Sequence, residues 1–288
     1  MALTRPELRD LLTQYRRQNW QGIQTAEWQR KIVDGMLQED DDDGHPALLK
    51  RIAAHWTLPP DPVILDLGSG VGNFVVACRQ RGLRAFGVEP DRIGNGSSLT
   101  SLQIAGKRLD SCAFAAAIGE QLPFRDAAFD LVVMNQVIEH VNDQESILAE
   151  ALRVVKPGGA IYIACPNYLR FYEPHYKLWF LPLMPKRLGA WYLRIRGRDP
   201  VLLHQLNYTT NWKLRRLLRN RRQRIVDLNG ETFVAKSGAG AGAFASRKAR
   251  IVARLIGTPG LGKMILASAL FYIRLREGGS EILAFADA

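Results

Sequence analysis

Residues 63–74 constrain this chain more than any other stretch. Val63, Ile64 and Leu65 open a short apolar run that reads as a buried strand, and Asp66 and Leu67 close it. Gly68, Gly70 and Gly72 follow at alternate positions, and the apolar residues from Phe74 onward can open a helix. A strand that turns into a helix through glycines allows a tight turn and close approach of a ligand without Cβ clashes. The helix start adds free N–H donors, so the expected ligand is polar or anionic. Glycine spacing alone also fits dinucleotide-binding turns. A second short strand at 85–88 ends in Glu89, where a carboxylate can accept hydrogen bonds from both hydroxyls of a ribose. An adenosine ligand is therefore expected.

Further blocks narrow the reading. Phe86, Gly87, Val88, Glu89 and Pro90 form one. Residues 120–133 run from Glu120 through Leu122, Pro123 and Phe124 to a strand beginning near Phe129 and Asp130. Ile138, Glu139, His140 and Val141 come next, and Leu152 to Gly159 bring Arg153, Lys156, Pro157 and Gly158. In this order, over residues 46–168, the set resembles the class I S-adenosylmethionine-dependent methyltransferases. It looks most like the variety that methylates small molecules, quinone-type lipids and sugars. The Asn/Asp-Pro-Pro-aromatic signature of amino-group methylators of nucleic acid is lacking.

The resemblance implies an α/β fold: a doubly wound, seven-stranded, mostly parallel sheet of the Rossmann-like methyltransferase kind. N-terminal helices and two inserted cap segments would be added to it. It implies S-adenosylmethionine as cofactor. Gly68, Ser69, Gly70 and Gly72 would run close to its amino-acid part, and Asp66 would organise that turn or accept from the ammonium through water. Glu89, followed by Pro90, would take the ribose hydroxyls. Asn135 and Gln136, just past the fourth strand, would face the methionine moiety. Ile118 and Gly119 sit where the family usually places an Asp that bonds the adenine amino group. With Ile118 there, adenine recognition must fall to backbone groups or apolar packing.

At 288 residues the chain can bury one doubly wound domain plus additions. Residues 1–45 read as two helices, at 3–18 and 24–37, and an acidic linker with four consecutive Asp residues; residues 46–288 read as the methyltransferase domain. Related N-terminal helices often cover the cofactor, though Trp20 and Trp28 fit plain packing equally well. Helices are expected at 46–56, 73–81, 98–107, 143–155 and 209–219, and strands at 112–116, 131–134, 160–165, 224–228 and 281–286. The last would return antiparallel at the sheet edge. Insertions are expected at 166–206 and 229–279. No apolar run is long enough to span a bilayer, no leader is seen, and Cys78, Cys112 and Cys165 lack metal spacing, so no metal and a cytoplasmic setting are expected.

Charge is unevenly placed. Of a net +11, residues 166–279 carry 22 Lys+Arg against 5 Asp+Glu, a balance of +17. That asymmetry fits a phosphate-bearing substrate, an anionic membrane surface, nucleic acid, or simply a solvated basic face. The first insertion interleaves aromatics with these cations and would lie over the carboxyl ends of the strands, where ligands of such sheets bind. Tyr172, His175, Tyr176 and Lys177 are its substrate-binding candidates. In the second insertion, residues 263–276 read as an apolar helix bracketed by Lys263, Arg274 and Arg276, suited either to a bilayer interface on the inner membrane face or to burial under the cap.

Methyl transfer is an in-line displacement at an activated carbon, so alignment and water exclusion dominate. His140 is the candidate general base, with Glu139 beside it; the alternative is that His140 packs or caps its loop. The acceptor expected is an anionic or amphipathic small molecule. RNA, favoured by Arg215, Arg216, Arg219 and their neighbours, is the alternative, as is a non-catalytic cofactor-binding module. Oligomeric state is not legible.

Overall fold

A computed structural model describes residues 3–19, 26–39, 44–90, 99–109, 111–169, 171–221, 223–228 and 280–286. Three helices come first: α1 (Arg5–Asn19), α2 (Ala26–Glu39) and α3 (Gly44–Ala53). The alternating units follow as β1 (Val63–Leu67), α4 (Asn73–Arg79), β2 (Arg84–Glu89), α5 (Ser101–Arg108), β3 (Phe114–Ala116), β4 (Phe129–Asn135), α6 (Gln144–Val154) and β5 (Val155–Cys165). After β5 come β6 (Tyr172–Glu173), β7 (Leu178–Trp179), α7 (Lys186–Ile195), α8 (Val201–Gln205), α9 (Asn211–Arg219), β8 (Arg224–Asp227) and β9 (Ser280–Phe285).

Seven strands form one sheet in the order β3-β2-β1-β4-β5-β9-β8. The first five run parallel, and β9 pairs antiparallel with both β5 and β8. The apolar runs follow from burial on both faces. Leu65, Val132, Met134, Ile161 and Ile282 point to one layer, which α6 and α9 cover with Ile147, Leu148, Leu214 and Leu218. Ile64, Leu131, Val133, Tyr162 and Leu283 point to the other, covered by Ile52 of α3 and Val75 of α4. The Asp130 carboxylate ties the lower end of the sheet, accepting from Val63 N at 2.9 Å and pairing with Lys156 Nζ at 2.8 Å.

Three expectations are corrected. The Pro157–Gly159 run does not separate α6 from the fifth strand: β5 begins at Val155, directly after the helix. The pairing jumps from Phe129 opposite Val155 to Leu131 opposite Ala160, so residues 156–159 bulge out of the ladder. The final strand is not at an edge but lies between β5 and β8, and the described edges are β3 and β8. The third strand is shorter than expected, because residues 111–113 form a 3-10 turn.

Residues 166–206 build a small unit with its own core. The β6–β7 hairpin, α7 and α8 pack around Tyr176, Phe180, Met184, Leu193, Leu203 and Leu206. The Thr210 side chain caps α9 by accepting Lys213 N at 3.1 Å, as its sequence position suggests. At the other end of the chain, Leu8 and Leu12 of α1 and Val33 and Leu37 of α2 pack with Val71, Leu99 and Ile104, so the N-terminal helices rest on the glycine turn and on α5. The acidic run at 40–43, the second insertion and its helix at 263–276 lie outside the described residues. Among the described residues, no helix is long and apolar enough to cross a membrane.

Candidate active site

The carboxyl ends of β1 to β4 meet at one rim of the sheet. Leu67 stands beside Val88, and Glu89 beside Ala116. Strand order reverses between β1 and β4, the point where open α/β sheets bind ligands. Gly68, Gly70 and Gly72 all take positive φ, at 81°, 52° and 83°. They differ in what surrounds them. A Cβ on Gly68 would run into Val137, whereas one on Gly70 would meet nothing within 4 Å. The turn is closed by Gly68 N and Ser69 N donating to Val88 O at 2.7 and 2.9 Å.

Glu89 faces this turn. Its Oε2 accepts Gly70 N at 3.0 Å, and its Oε1 accepts Ser101 Oγ at 3.3 Å. Burial, with the Glu89 charge adding to it, pushes the Asp66 carboxyl up to about 7. The Ser69 hydroxyl is buried without a hydrogen-bond partner among the described residues. After β3, Ile118 is 43% exposed, and Asn135 at the end of β4 and Gln136 just past it are exposed. Gln136 holds φ at 61°, an uncommon conformation for a residue with a side chain, while its N–H donates to Ala164 O at 2.7 Å. Gly119 is buried, and a Cβ there would collide with Ile147 and come within 3.0 Å of Leu67; packing demands that glycine. Pro90 is half-buried after Glu89.

The loop after β4 meets the cap. The rings of His140 and His175 touch edge to face, with centroids 5.1 Å apart. Glu139 is fully buried, and neither carboxylate oxygen has a hydrogen-bond partner among the described residues. His140 Nε2 lies 3.9 Å from Glu139 Oε1. Burial pushes Glu139 up to about 7 and pulls His140 down to about 4, His175 adding to the second shift. Behind His175 stands buried Glu173, whose Oε1 engages His175 Nδ1 at 2.7 Å and whose Oε2 accepts Tyr176 N at 2.7 Å. An open groove of about 540 Å³ adjoins this group, lined by His140, Val141, Asn142, His204, Gln205 and Asn207. Asn207 N donates to Glu139 O at 2.6 Å, stitching the cap's exit to the loop.

Residues 65–163 match the family described as a methyltransferase domain. An uncharacterized methyltransferase of Mycobacterium leprae is 35% identical over 126 residues, which are 43% of this chain and 44% of that protein. The 2-methyl-6-phytyl-1,4-hydroquinone methyltransferase of Synechocystis is 30% identical over 145 residues, 48% of this chain and 44% of that protein. The crystal structure of YcgJ from Bacillus subtilis is similar in fold, with a TM-score of 0.50 at 14% identity, covering 86% of this chain and 100% of that one. Residues 65–163 are a methyltransferase domain of the class I S-adenosylmethionine-dependent kind. The chain spans less than half the length of the curated relatives it matches.

The cofactor of such a methyltransferase is S-adenosylmethionine, and the rim fits it. Open space at Gly70 leaves room for a ligand against the backbone, and the orphaned Ser69 hydroxyl points to a missing partner. Asp66 and Glu89 are carboxylates at the rim, acceptors of the kind that a cationic amino acid and a ribose require.

Of the sequence candidates for proton transfer, the structure brings together His140, Glu139 and His175 of the cap. It separates the other acceptor candidates. Tyr176 is 2% exposed, and its hydroxyl donates to Asp199 O at 2.8 Å and accepts Leu203 N at 3.1 Å. It is a pillar of the cap, not a free phenol. Lys177 is exposed at the β6–β7 turn with φ at 54°. Tyr172 borders a cavity of only about 10 Å³, room for one water at most. Glu173 and Asn207 were not singled out from the sequence; Glu173 stands two residues before His175, a spacing that in hindsight allows the pair to form in one short turn.

Glu139, His140 and His175 place one ligand atom each within 4.8 Å of one another. That composition suits a metal, but the 3.9 Å between His140 Nε2 and Glu139 Oε1 exceeds the roughly 3.4 Å that tetrahedral ligands with bonds of about 2.1 Å would adopt. As they stand, the groups suit proton exchange better.

Proposed function

We propose that the protein transfers a methyl group to an anionic or amphipathic small molecule: a quinone-type lipid, another lipid or a lipid-linked sugar. The observation that carries this reading is the edge contact of His140 with His175, which joins the rim that fits the cofactor to an aromatic, basic cap. S-adenosylmethionine supplies a methyl group on a sulfonium, activated towards displacement. The chain's part is then to bind, align and keep water out. Gly70 admits the donor, Glu89 and Asp66 orient it, and the groove beside His140 admits the acceptor. His140, pulled down to about 4, is neutral at pH 7 and can receive a proton from an acceptor hydroxyl or enol. Glu139, near 7, is the better resting place for that proton at neutral pH. The phytyl-bearing hydroquinone in the name of the Synechocystis relative supports a lipid acceptor, and peripheral association with a membrane belongs to the same reading.

Incubating the protein with lipid and metabolite extracts and a labelled methyl donor, read by mass spectrometry, tests it. Label in an amphipathic product is the expected outcome. Calorimetric binding of S-adenosylhomocysteine with no labelled product in any extract would leave a cofactor-binding module instead. One observation favours an RNA acceptor as the second reading: Arg216 stacks on the ring of Trp212 at 5.7 Å, and Trp212 is 68% exposed on basic α9. RNA binding that weakens steeply with salt would support it; indifference to RNA at low salt would remove it.

A further inference from the structure

Nine large apolar side chains are exposed among the described residues, and seven of them fall between positions 179 and 201. Among the described residues, the cap thus concentrates the exposed apolar surface. Helix α7 shows how. Gly189, Ala190 and Leu193 turn inward, with Gly189 close against Leu203 and Phe180. Leu188, Trp191 and Ile195 turn outward, at 45%, 60% and 62% exposure. Their spacing puts them on one stripe of the helix. Trp179, at 68%, comes from the β6–β7 hairpin of the same unit.

Cations accompany the stripe. Arg187, Arg194 and Arg196 are exposed on or beside α7 and form no ion pair among the described residues. The two acids of residues 166–206 are both occupied inside the cap: Glu173 with His175 and Tyr176 N, and Asp199 with Val201 N at 2.9 Å. The outward face is therefore apolar, tryptophan-bearing and positive. A second copy of the chain would present the same positive face and repel it. A surface of acidic lipid headgroups over acyl chains satisfies both the arginines and the stripe, and tryptophan favours that boundary. Ten residues of helix, about 15 Å long, can lie in such a boundary but cannot cross it.

We propose that this face of the cap seats on an anionic lipid bilayer, with α7 lying in the interface and Leu188, Trp191 and Ile195 turned to the acyl chains. The surface deepens the lipid-acceptor reading above, because the same cap lines the groove with His204 and Gln205. It stands on its own observations, however, and can fail separately.

The test uses the full chain with vesicles of phosphatidylcholine alone or with added phosphatidylglycerol, read by co-sedimentation and tryptophan emission. Binding to the anionic vesicles with a blue shift is expected. The pair Leu188→Ser/Trp191→Ser, and separately Arg187→Glu/Arg194→Glu, should each weaken binding about tenfold or more, while calorimetric binding of S-adenosylhomocysteine is retained. Retained cofactor binding shows that the fold and the cofactor rim stand whatever the vesicles report. The proposal is overturned if the wild-type chain ignores anionic vesicles, if both variants bind as it does, or if only deletion of residues 263–276 abolishes binding. A wild-type dimer that Leu188→Ser/Trp191→Ser makes monomeric overturns it too, since the face would then be a self-interface.

Discussion

Glu89 Oε2 accepts the amide of Gly70 at 3.0 Å, so the carboxylate that ends β2 holds the turn that ends β1. The two halves of the cofactor rim are thus coupled before any ligand arrives. Glu89→Gln weakens an acceptor of the turn and, on the proposed function, of a ribose, so S-adenosylhomocysteine affinity should fall about tenfold or more by calorimetry.

Gly70 and Gly68 separate ligand space from packing. A Cβ on Gly70 meets open space, while one on Gly68 strikes Val137. Gly70→Val should keep the fold at a cost of about 1–2 kcal/mol for the left-handed backbone, yet abolish measurable cofactor binding. Gly68→Val should lower the thermal midpoint far more. Equal loss of stability in the two would contradict this assignment.

Asp66 titrates near 7 in the folded chain, against an ordinary value of 3.8. A raised acid binds its proton more tightly folded than unfolded, so its contribution to stability is present at low pH and fades as pH rises from about 4 to about 7. Urea melts of wild type and Asp66→Asn should therefore diverge across that window, with the wild type losing ground as pH increases. A cationic ligand favours the ionised form, so S-adenosylmethionine affinity should climb through pH 7 in wild type and stay flatter in the variant.

On the proposed function, Glu139 and His140 serve the proton and not the donor. Glu139→Gln and His140→Ala should lower methyl transfer by roughly 10²–10⁴-fold. Affinity for S-adenosylhomocysteine should remain within a few-fold. Thorough chelation should leave turnover unchanged, because the trio with His175 is read as a proton site.

Arg153 clamps the segment that carries β3 towards β4. Its guanidinium donates to Leu122 O and Phe124 O at 3.2 and 2.8 Å and pairs with Glu150 and Asp126. Arg153→Ala should destabilise the domain by about 1–3 kcal/mol in a denaturant titration, leaving two carbonyls without their donor.

The rim was legible because each part is local: an apolar run, glycines and an acid fall within one βα unit. The pairings that correct the sequence reading are not local. Pro157, Gly158 and Gly159 carry the usual marks of a helix stop, and the bulge shows only when Leu131 is found opposite Ala160. An antiparallel final strand has the same apolar pattern at an edge as inside the sheet, so the place of β9 follows from partners on both sides. Tyr176 resembles a substrate contact by composition, but its partners, Asp199 O and Leu203 N, lie 23 and 27 residues on. The Glu139–His140–His175 group joins segments 35 positions apart through a ring contact that no spacing encodes.

The position of β9 between β5 and β8 also sets a timetable for biosynthesis. While the chain is emerging from a ribosome, β8 has no neighbour among the described strands to pair with until Ser280–Phe285 has been made. At about 5–20 residues per second that wait lasts several seconds. During it the flank of β5 that β9 will cover stays open, a target for chaperones and proteases.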